Sequence, residues 1–150
     1  MRLSEIINRD SIILDLKASD KHEVIEILVN ELFELKKISD KETYLHSVLD
    51  REKLGTTGIG KGIAIPHGKS DAVHEISVIF ARSIDGVDFE SLDGKPVHLI
   101  FMLTAPKEAN GTYLKALAKL SRLLRHQVFR DALLSAKTKD EILSLIAEEE

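Results

Sequence analysis

Residues 51–70 read REKLGTTGIGKGIAIPHGKS, a glycine-rich run that closes on Ile65-Pro66-His67-Gly68. Glycine at this density marks backbone that must take positive φ or approach another group closely. Ile63 and Ile65 alternate with Gly62 and Ala64, the pattern of a short buried strand. Pro66 fixes its own φ and withholds an N–H, which predicts that the strand stops there. His67 is then held between a rigid residue and a permissive one, presented rather than packed.

The pattern extends outward from this stretch. Just before it, Asp40 is placed to cap a helix whose buried face is Tyr44, Leu45, Val48 and Leu49. That helix delivers Arg51 and Glu52 to the mouth of the glycine-rich loop. Further upstream, Ser19 or Asp20 opens a helix running to about Lys36, with Val24, Ile25, Leu28, Leu32 and Leu35 at helical spacing. Ser11–Leu16 reads as a first strand. Downstream, residues 68–73 form a polar connection into a strand over Ile76–Arg82. Asp85-Gly86 and Asp93-Gly94 are read as turns flanking a short extended piece at Val87–Phe89. Val97–Thr104 is the most apolar segment and lacks clean alternation, which places it centrally in a sheet. A helix follows from about Thr112 to Arg125, with Leu114, Leu117, Ala118, Ser121 and Leu124 on one face. Two short helices end the chain, the second starting near Thr138, and Glu148–Glu150 reads as a frayed, solvated end. The expected fold class is α/β: a mixed β-sheet with helices packed on both faces, in a single domain over residues 1–150.

Composition narrows the chemistry. A chain of 150 residues, 43% hydrophobic and 31% charged, has the balance of a globular domain rather than a disordered segment. A net charge of −4 is the wrong sign for a nucleic-acid footprint. With no cysteine, disulfides, thiolate catalysis and Cys-zinc sites are excluded. MRLSEIINRD lacks the apolar core of a signal peptide, and runs such as Leu99–Leu103 fall far short of the ~20 residues that span a bilayer. The expectation is a cytoplasmic protein.

Three chemistries compete for the central stretch. Gly55–Lys61 matches the first seven positions of a phosphate-binding P-loop, but Gly62 stands where a Ser or Thr should bind Mg²⁺. The context is also reversed, because this loop follows a helix and opens a strand. A metal site would have to gather His67, His74 and His98, which show no i, i+4 helical spacing and no carboxylate in ligand register. In the third reading His67 is a nucleophile that takes up a phosphoryl group and later gives it away. Such a site needs groups that hold phosphoryl oxygens and a cation that offsets their charge. Gly58 and Gly60 offer open backbone, Thr57 a hydroxyl and Arg51 a planar guanidinium. A turn histidine bonded to a carbonyl remains equally compatible with the spacing. His22, His46, His74, His98 and His126 read as surface or strand-edge residues.

The run RE…GTTGIGKGIAIPHGK resembles the active-site signature of the enzyme IIA domains of the fructose/mannitol class in the phosphoenolpyruvate-dependent sugar phosphotransferase system, a class that includes nitrogen-regulatory IIA proteins. GVDFESLDGKPVHLIFMLTAP and the C-terminal third extend the similarity over nearly the whole chain. The resemblance implies that His67 accepts phosphate on Nε2 from phospho-HPr, or its nitrogen-branch paralogue, and passes it to a separate IIB unit. It assigns Arg51 and Thr57 to the motif arginine and threonine, and implies no metal and no organic cofactor. Many IIB units of the class accept on Cys, so a chain without cysteine holds no such acceptor of its own. Fructose-type sugar uptake is the preferred role, with a nitrogen-regulatory protein, acting through partner binding, as the alternative. One departure stands out: relatives commonly carry a second histidine at the start of the helix after the Ala-Pro loop, and here Tyr113 occupies that place. Its phenol either donates to a phosphoryl oxygen or simply packs its ring.

Overall fold

A computed structural model describes residues 2–150. Two 3-10 turns, Leu3–Glu5 and Arg9–Ser11, precede strand β1 at Ile12–Ile13. The first strand is thus shorter than Ser11–Leu16, because a reciprocal Asn8–Ser11 capping box winds Ser11 into the preceding turn. Helix α1 covers Lys21–Glu34 and α2 Lys41–Lys53, capped by the side chains of Asp20 and Asp40 accepting from the amides of Glu23 and Thr43. Four short or long strands follow: β2 Gly58–Gly60, β3 Ile63–Ala64, β4 His67–Lys69 and β5 Ser77–Val87. Strand β6, Val97–Ala105, leads into helices α3 Asn110–Leu123, α4 Gln127–Ser135 and α5 Lys139–Glu149.

The sheet runs β1-β5-β6-β3-β2, with β4 also paired to β6. It is mixed: β1 runs parallel to β5, β5 antiparallel to β6, and β3 and β4 both parallel to β6. Strand β6 is central, and both of its faces are covered. Val78, Phe80, Leu99, Phe101 and Leu103 point into one core with residues of α3, α4 and α5. Ile79, Ala81, Ile100 and Met102 point into the other, against α1 and α2. The helices therefore lie on both faces, and the lack of alternation in β6 follows from that double burial.

Several local expectations change. The strand does stop before Pro66, with β3 ending at Ala64, but the ladder does not end there. Ile63, Ala64 and His67 pair with Leu99, Ile100 and Leu103 at one constant offset, so Pro66 interrupts a single parallel ladder and pairing resumes through Lys69. The proline withholds a donor, yet its carbonyl still accepts from the Leu103 amide at 3.1 Å. Asp85-Gly86 is not a turn but part of β5, within the register shift between Arg82 and Val87. In α3 the buried residues are Tyr113, Ala116, Leu120 and Leu123, one position back from the expected stripe, while Leu114 is exposed. Glu150 is not frayed: its carboxylate accepts from the amides of Leu3 and Ser4 at 2.5 and 2.9 Å.

Candidate active site

The stretch that resembled a P-loop is a β-hairpin. β2 and β3 are antiparallel neighbours, joined by Lys61-Gly62 with φ of 59° and 77°. Positive φ at both central residues is the mark of a type I′ turn, whose twist suits adjoining strands. No helix follows the glycines, so no helix N-terminus is offered to a nucleotide.

Beyond the hairpin the ladder brings His67 level with Leu103. Gly68 lets α2 approach β4 closely, since a Cβ there would lie 3.1 Å from Val48 Cγ2 and 3.3 Å from Tyr44 Cε1. The Tyr44 hydroxyl pins the same contact from α2 to the Thr104 hydroxyl at 2.7 Å. Arg51 lies three and seven residues after Val48 and Tyr44, on the same side of α2, and comes close enough to His67 to act on its charge. The Arg51 guanidinium is braced by the Gly55 carbonyl at 2.9 Å.

His67 is half-buried, and its Nδ1 lies 2.8 Å from the Ile65 carbonyl oxygen. A carbonyl has no proton to give, so Nδ1 is the protonated nitrogen and Nε2 keeps its lone pair. Burial lowers the imidazole pKa, the Ile65 bond raises it, Arg51 lowers it and Glu52 raises it; the net shift is downward. The ring is therefore a neutral base at neutral pH. Tyr113, at the start of α3, packs edge-on to it with centroids 5.8 Å apart and rings at 63°. Burial pushes the Tyr113 phenol up to about 12, against a lowering influence from Arg51. Lys69 Nζ lies 5.3 Å from the centroid of the Tyr113 ring, over its face, and donates to Asn110 Oδ1 at 2.5 Å.

His67, Arg51 and Tyr113 are thus brought together. Thr57 is adjacent but buried, and its hydroxyl and amide are both given to the Glu52 carboxylate. Gly58 and Gly60 are not at the imidazole. They pair with Ala64 and Ile63, three and four residues short of His67, roughly 10 Å along a strand. Gly58 has another purpose, for a Cβ there would lie 2.6 Å from Ser91 Oγ. Of the other histidines, His22, His46, His74 and His126 are exposed. His98 sits in the central strand rather than at an edge, bonded through Nδ1 to the Ser83 carbonyl at 2.9 Å. Glu52 was legible only as a neighbour of Arg51. Its partner Lys21, 3.0 Å away, comes from the far end of α1 in sequence and carries no local signal.

The model of the family described as phosphoenolpyruvate-dependent sugar phosphotransferase system, EIIA 2 matches residues 5–149. The chain is 42% identical to the fructose-specific EIIABC component of Bacillus subtilis over 97% of its own length, but spans only 23% of that protein. It is 38% identical to the fructose-specific EIIA component of Haloferax volcanii, covering 97% of this chain and 95% of that one. Identity to a nitrogen regulatory protein of Bradyrhizobium diazoefficiens is also 38%, with 98% and 95% covered. Among solved structures, nitrogen regulatory protein IIA-Ntr from Neisseria meningitidis superposes with a TM-score of 0.84 at 32% identity, covering 95% of this chain and 97% of that one. The complex of enzyme IIAMTL with phosphorylated enzyme IIBMTL from Escherichia coli contains a chain matching at TM-score 0.82 and 28% identity, with 95% and 97% covered.

Proposed function

The chain belongs to the EIIA 2 family of the phosphoenolpyruvate-dependent sugar phosphotransferase system, and from that premise we propose that His67 Nε2 accepts a phosphoryl group from phospho-HPr or a nitrogen-branch paralogue and passes it to a separate IIB unit. The observation that carries this reading is the Nδ1 bond to the Ile65 carbonyl, which leaves Nε2 unprotonated. In the forward step the Nε2 lone pair forms the new N–P bond as the donor's N–P bond breaks, and the donor imidazole keeps the released electron pair. The proton on Nδ1 stays where it is, held by Ile65. Transfer to the IIB unit reverses the roles, with Nε2 leaving.

Positive charge supports the phosphoryl oxygens: Arg51 beside the ring, Lys69 over the Tyr113 ring, and the first turn of α3, whose Ala109 cap makes no side-chain bond. Thr57 acts by holding Glu52 rather than by touching phosphate, and Gly58 and Gly60 shape the hairpin. Residues 5–149 constitute one IIA unit, and fructose-type uptake is the role read first. The second reading, a nitrogen-regulatory protein, is kept by the 38% identity to a nitrogen regulatory protein, equal to that of the fructose-specific EIIA component.

The test is incubation with phosphoenolpyruvate, enzyme I and HPr, which should yield acid-labile, alkali-stable label on His67 alone. Normal labelling of His67→Ala would overturn the assignment. A fructose-type IIB that discharges the label supports the uptake role; refusal by such IIB units favours the regulatory one.

A further inference from the structure

A continuous line of bonds leads from α1 to the imidazole. Lys21 Nζ donates to Glu52 Oε2 at 3.0 Å and to Thr56 Oγ1 at 3.1 Å. The Glu52 side chain is only 5% exposed, and it accepts from the Thr57 amide at 3.1 Å and from the Thr57 hydroxyl. The Thr57 carbonyl in turn accepts from the Ile65 amide at 3.0 Å. The Ile65 carbonyl accepts from His67 Nδ1 at 2.8 Å.

A buried ion pair is by itself weak evidence of stabilisation, because desolvating both charges offsets much of their attraction. This pair does something more specific. Two of the carboxylate's acceptor sites are filled by one residue, Thr57, whose peptide faces the segment that sets the His67 tautomer. A carboxylate accepts strongly and in fixed directions, so the Thr57 peptide is held in a single orientation. Thr56 is tied down on the other side, donating to the Phe89 carbonyl at 3.1 Å and accepting from the Gly58 amide at 3.1 Å. Nothing in this line touches the position of a phosphoryl group. Besides the pull of the Glu52 charge on the imidazole pKa, its outlet toward the chemistry is the orientation of Ile65.

We propose that Glu52, neutralised by Lys21, is a positioning residue for phosphoryl transfer, holding His67 through Thr57 and Ile65 in the Nδ1–H tautomer with Nε2 free. The inference rests on the reading of His67 as phosphoryl acceptor. The alternative tautomer would put a proton on the attacking atom and abolish its lone pair, so a loosened Ile65 carbonyl costs rate directly.

Phosphoramidate is the probe, since it phosphorylates imidazole without a protein donor, ammonia leaving with the electron pair of the broken P–N bond. Glu52→Gln keeps the shape of the side chain but loses the charge and one acceptor. Labelling of His67 should slow by roughly ten- to a hundredfold, the scale seen when the outer partner orienting a working histidine is removed. Imidazole ¹⁵N shifts should show the Nε2–H tautomer growing in the same variant while the thermal unfolding midpoint and the remaining amide spectrum stay unchanged, which separates it from general loosening of the fold. If Glu52→Gln fails to fold, Thr57→Val removes the hydroxyl and is read by the same spectrum. A folded variant with the wild-type rate, or one slowed with an unchanged ¹⁵N pattern, overturns the proposal. Failure of the unaltered chain to label on His67 is a different result: it removes the acceptor reading on which the proposal stands.

Discussion

At His67 the two readings left open by its spacing turn out to describe different nitrogens. Nδ1 is the turn histidine's bond to a carbonyl, and Nε2 is the nitrogen available to attack. Because burial, the largest influence, lowers the imidazole pKa, transfer should stay undiminished somewhat below the ordinary imidazole value of about 6.5. The stability consequence has the same origin. The unfolded histidine takes its proton near 6.5 and the folded one only lower. The unfolded state therefore binds more protons in that window, and stability declines as pH falls through it. An NMR titration midpoint above 6.5 would reverse both statements. Arg51 is partly exposed and, among the described residues, its side chain bonds only to Gly55, so Arg51→Gln should slow phosphorylation by about ten- to a thousandfold with little change in thermal stability. A collapse of the fold would show it to be structural instead. Tyr113, raised to about 12, stays a neutral donor at every physiological pH. Losing such a bond costs about 0.5–1.5 kcal/mol, so Tyr113→Phe should reduce transfer by at most about tenfold. A hundredfold loss would mean the phenol contributes more than one neutral bond. The presented position of His67 was legible because the Pro66-His67-Gly68 run is local, and that of Arg51 because the capped helix α2 ends at the glycine-rich loop. The Lys21–Glu52 pair was not, because tertiary packing alone brings those residues together.

Among the elements, the helix caps and the central strand β6 were legible in the sequence, whereas the turn at Asp85-Gly86 and the buried stripe of α3 depended on their partners. Asp20, Asp40 and Thr138 cap their helices as their side chains dictate. The stripe of α3 was displaced by one residue because leucines on both sides of it give two apolar faces, and only the neighbouring sheet selects Ala116 and Leu120 over Leu114. Pro66 was read as a stop because its missing donor is visible in sequence. The parallel partner that carries pairing past it is not. Packing of α2 on β4 makes the sharpest claim at this scale. Gly68→Ala would drive a methyl into Val48 and Tyr44, costing about 1–3 kcal/mol as overpacking does, and would slow phosphorylation because α2 carries Arg51. Trimming the obstacle should help: in Gly68→Ala/Val48→Ala the two losses should sum to less than their separate costs, since contacting residues couple. Strict additivity in denaturant unfolding would mean that Gly68 serves its backbone conformation rather than the helix contact.

Over the whole molecule, two cores share one sheet, and the sheet positions the site only if both stay in register. β6 contributes to both cores and pairs with His67. The α3–α5 side, which contains Tyr113, is fastened to the first turn of the chain through Glu150. Composition suggested a solvated acidic tail at Glu148–Glu150, and Glu148 and Glu149 are indeed exposed. The Glu150 side chain is only 2% exposed, 3.3 Å from Lys119 Nζ and 3.9 Å from Arg2 Nε. A run of identical residues gives no hint of which one folds back. Burial pushes the Glu150 carboxyl up, but bonds from the Ser4 and Leu3 amides, Ser4 and Lys119 outweigh it and hold the pKa below the usual range. The sign then follows from linkage. The unfolded carboxyl protonates first as pH falls, so this contribution is full above about 4.5 and is lost as pH drops through the lower folded value. Glu150→Gln should remove about 1.5–3 kcal/mol at neutral pH, the range for bonds to a charged acceptor. It should also flatten the acid limb of the stability curve, measured by urea unfolding from pH 7 down to about pH 3. If the variant loses stability equally at every pH in that range, the carboxylate acts by shape alone, and the fastening of α5 to the first turn is not electrostatic.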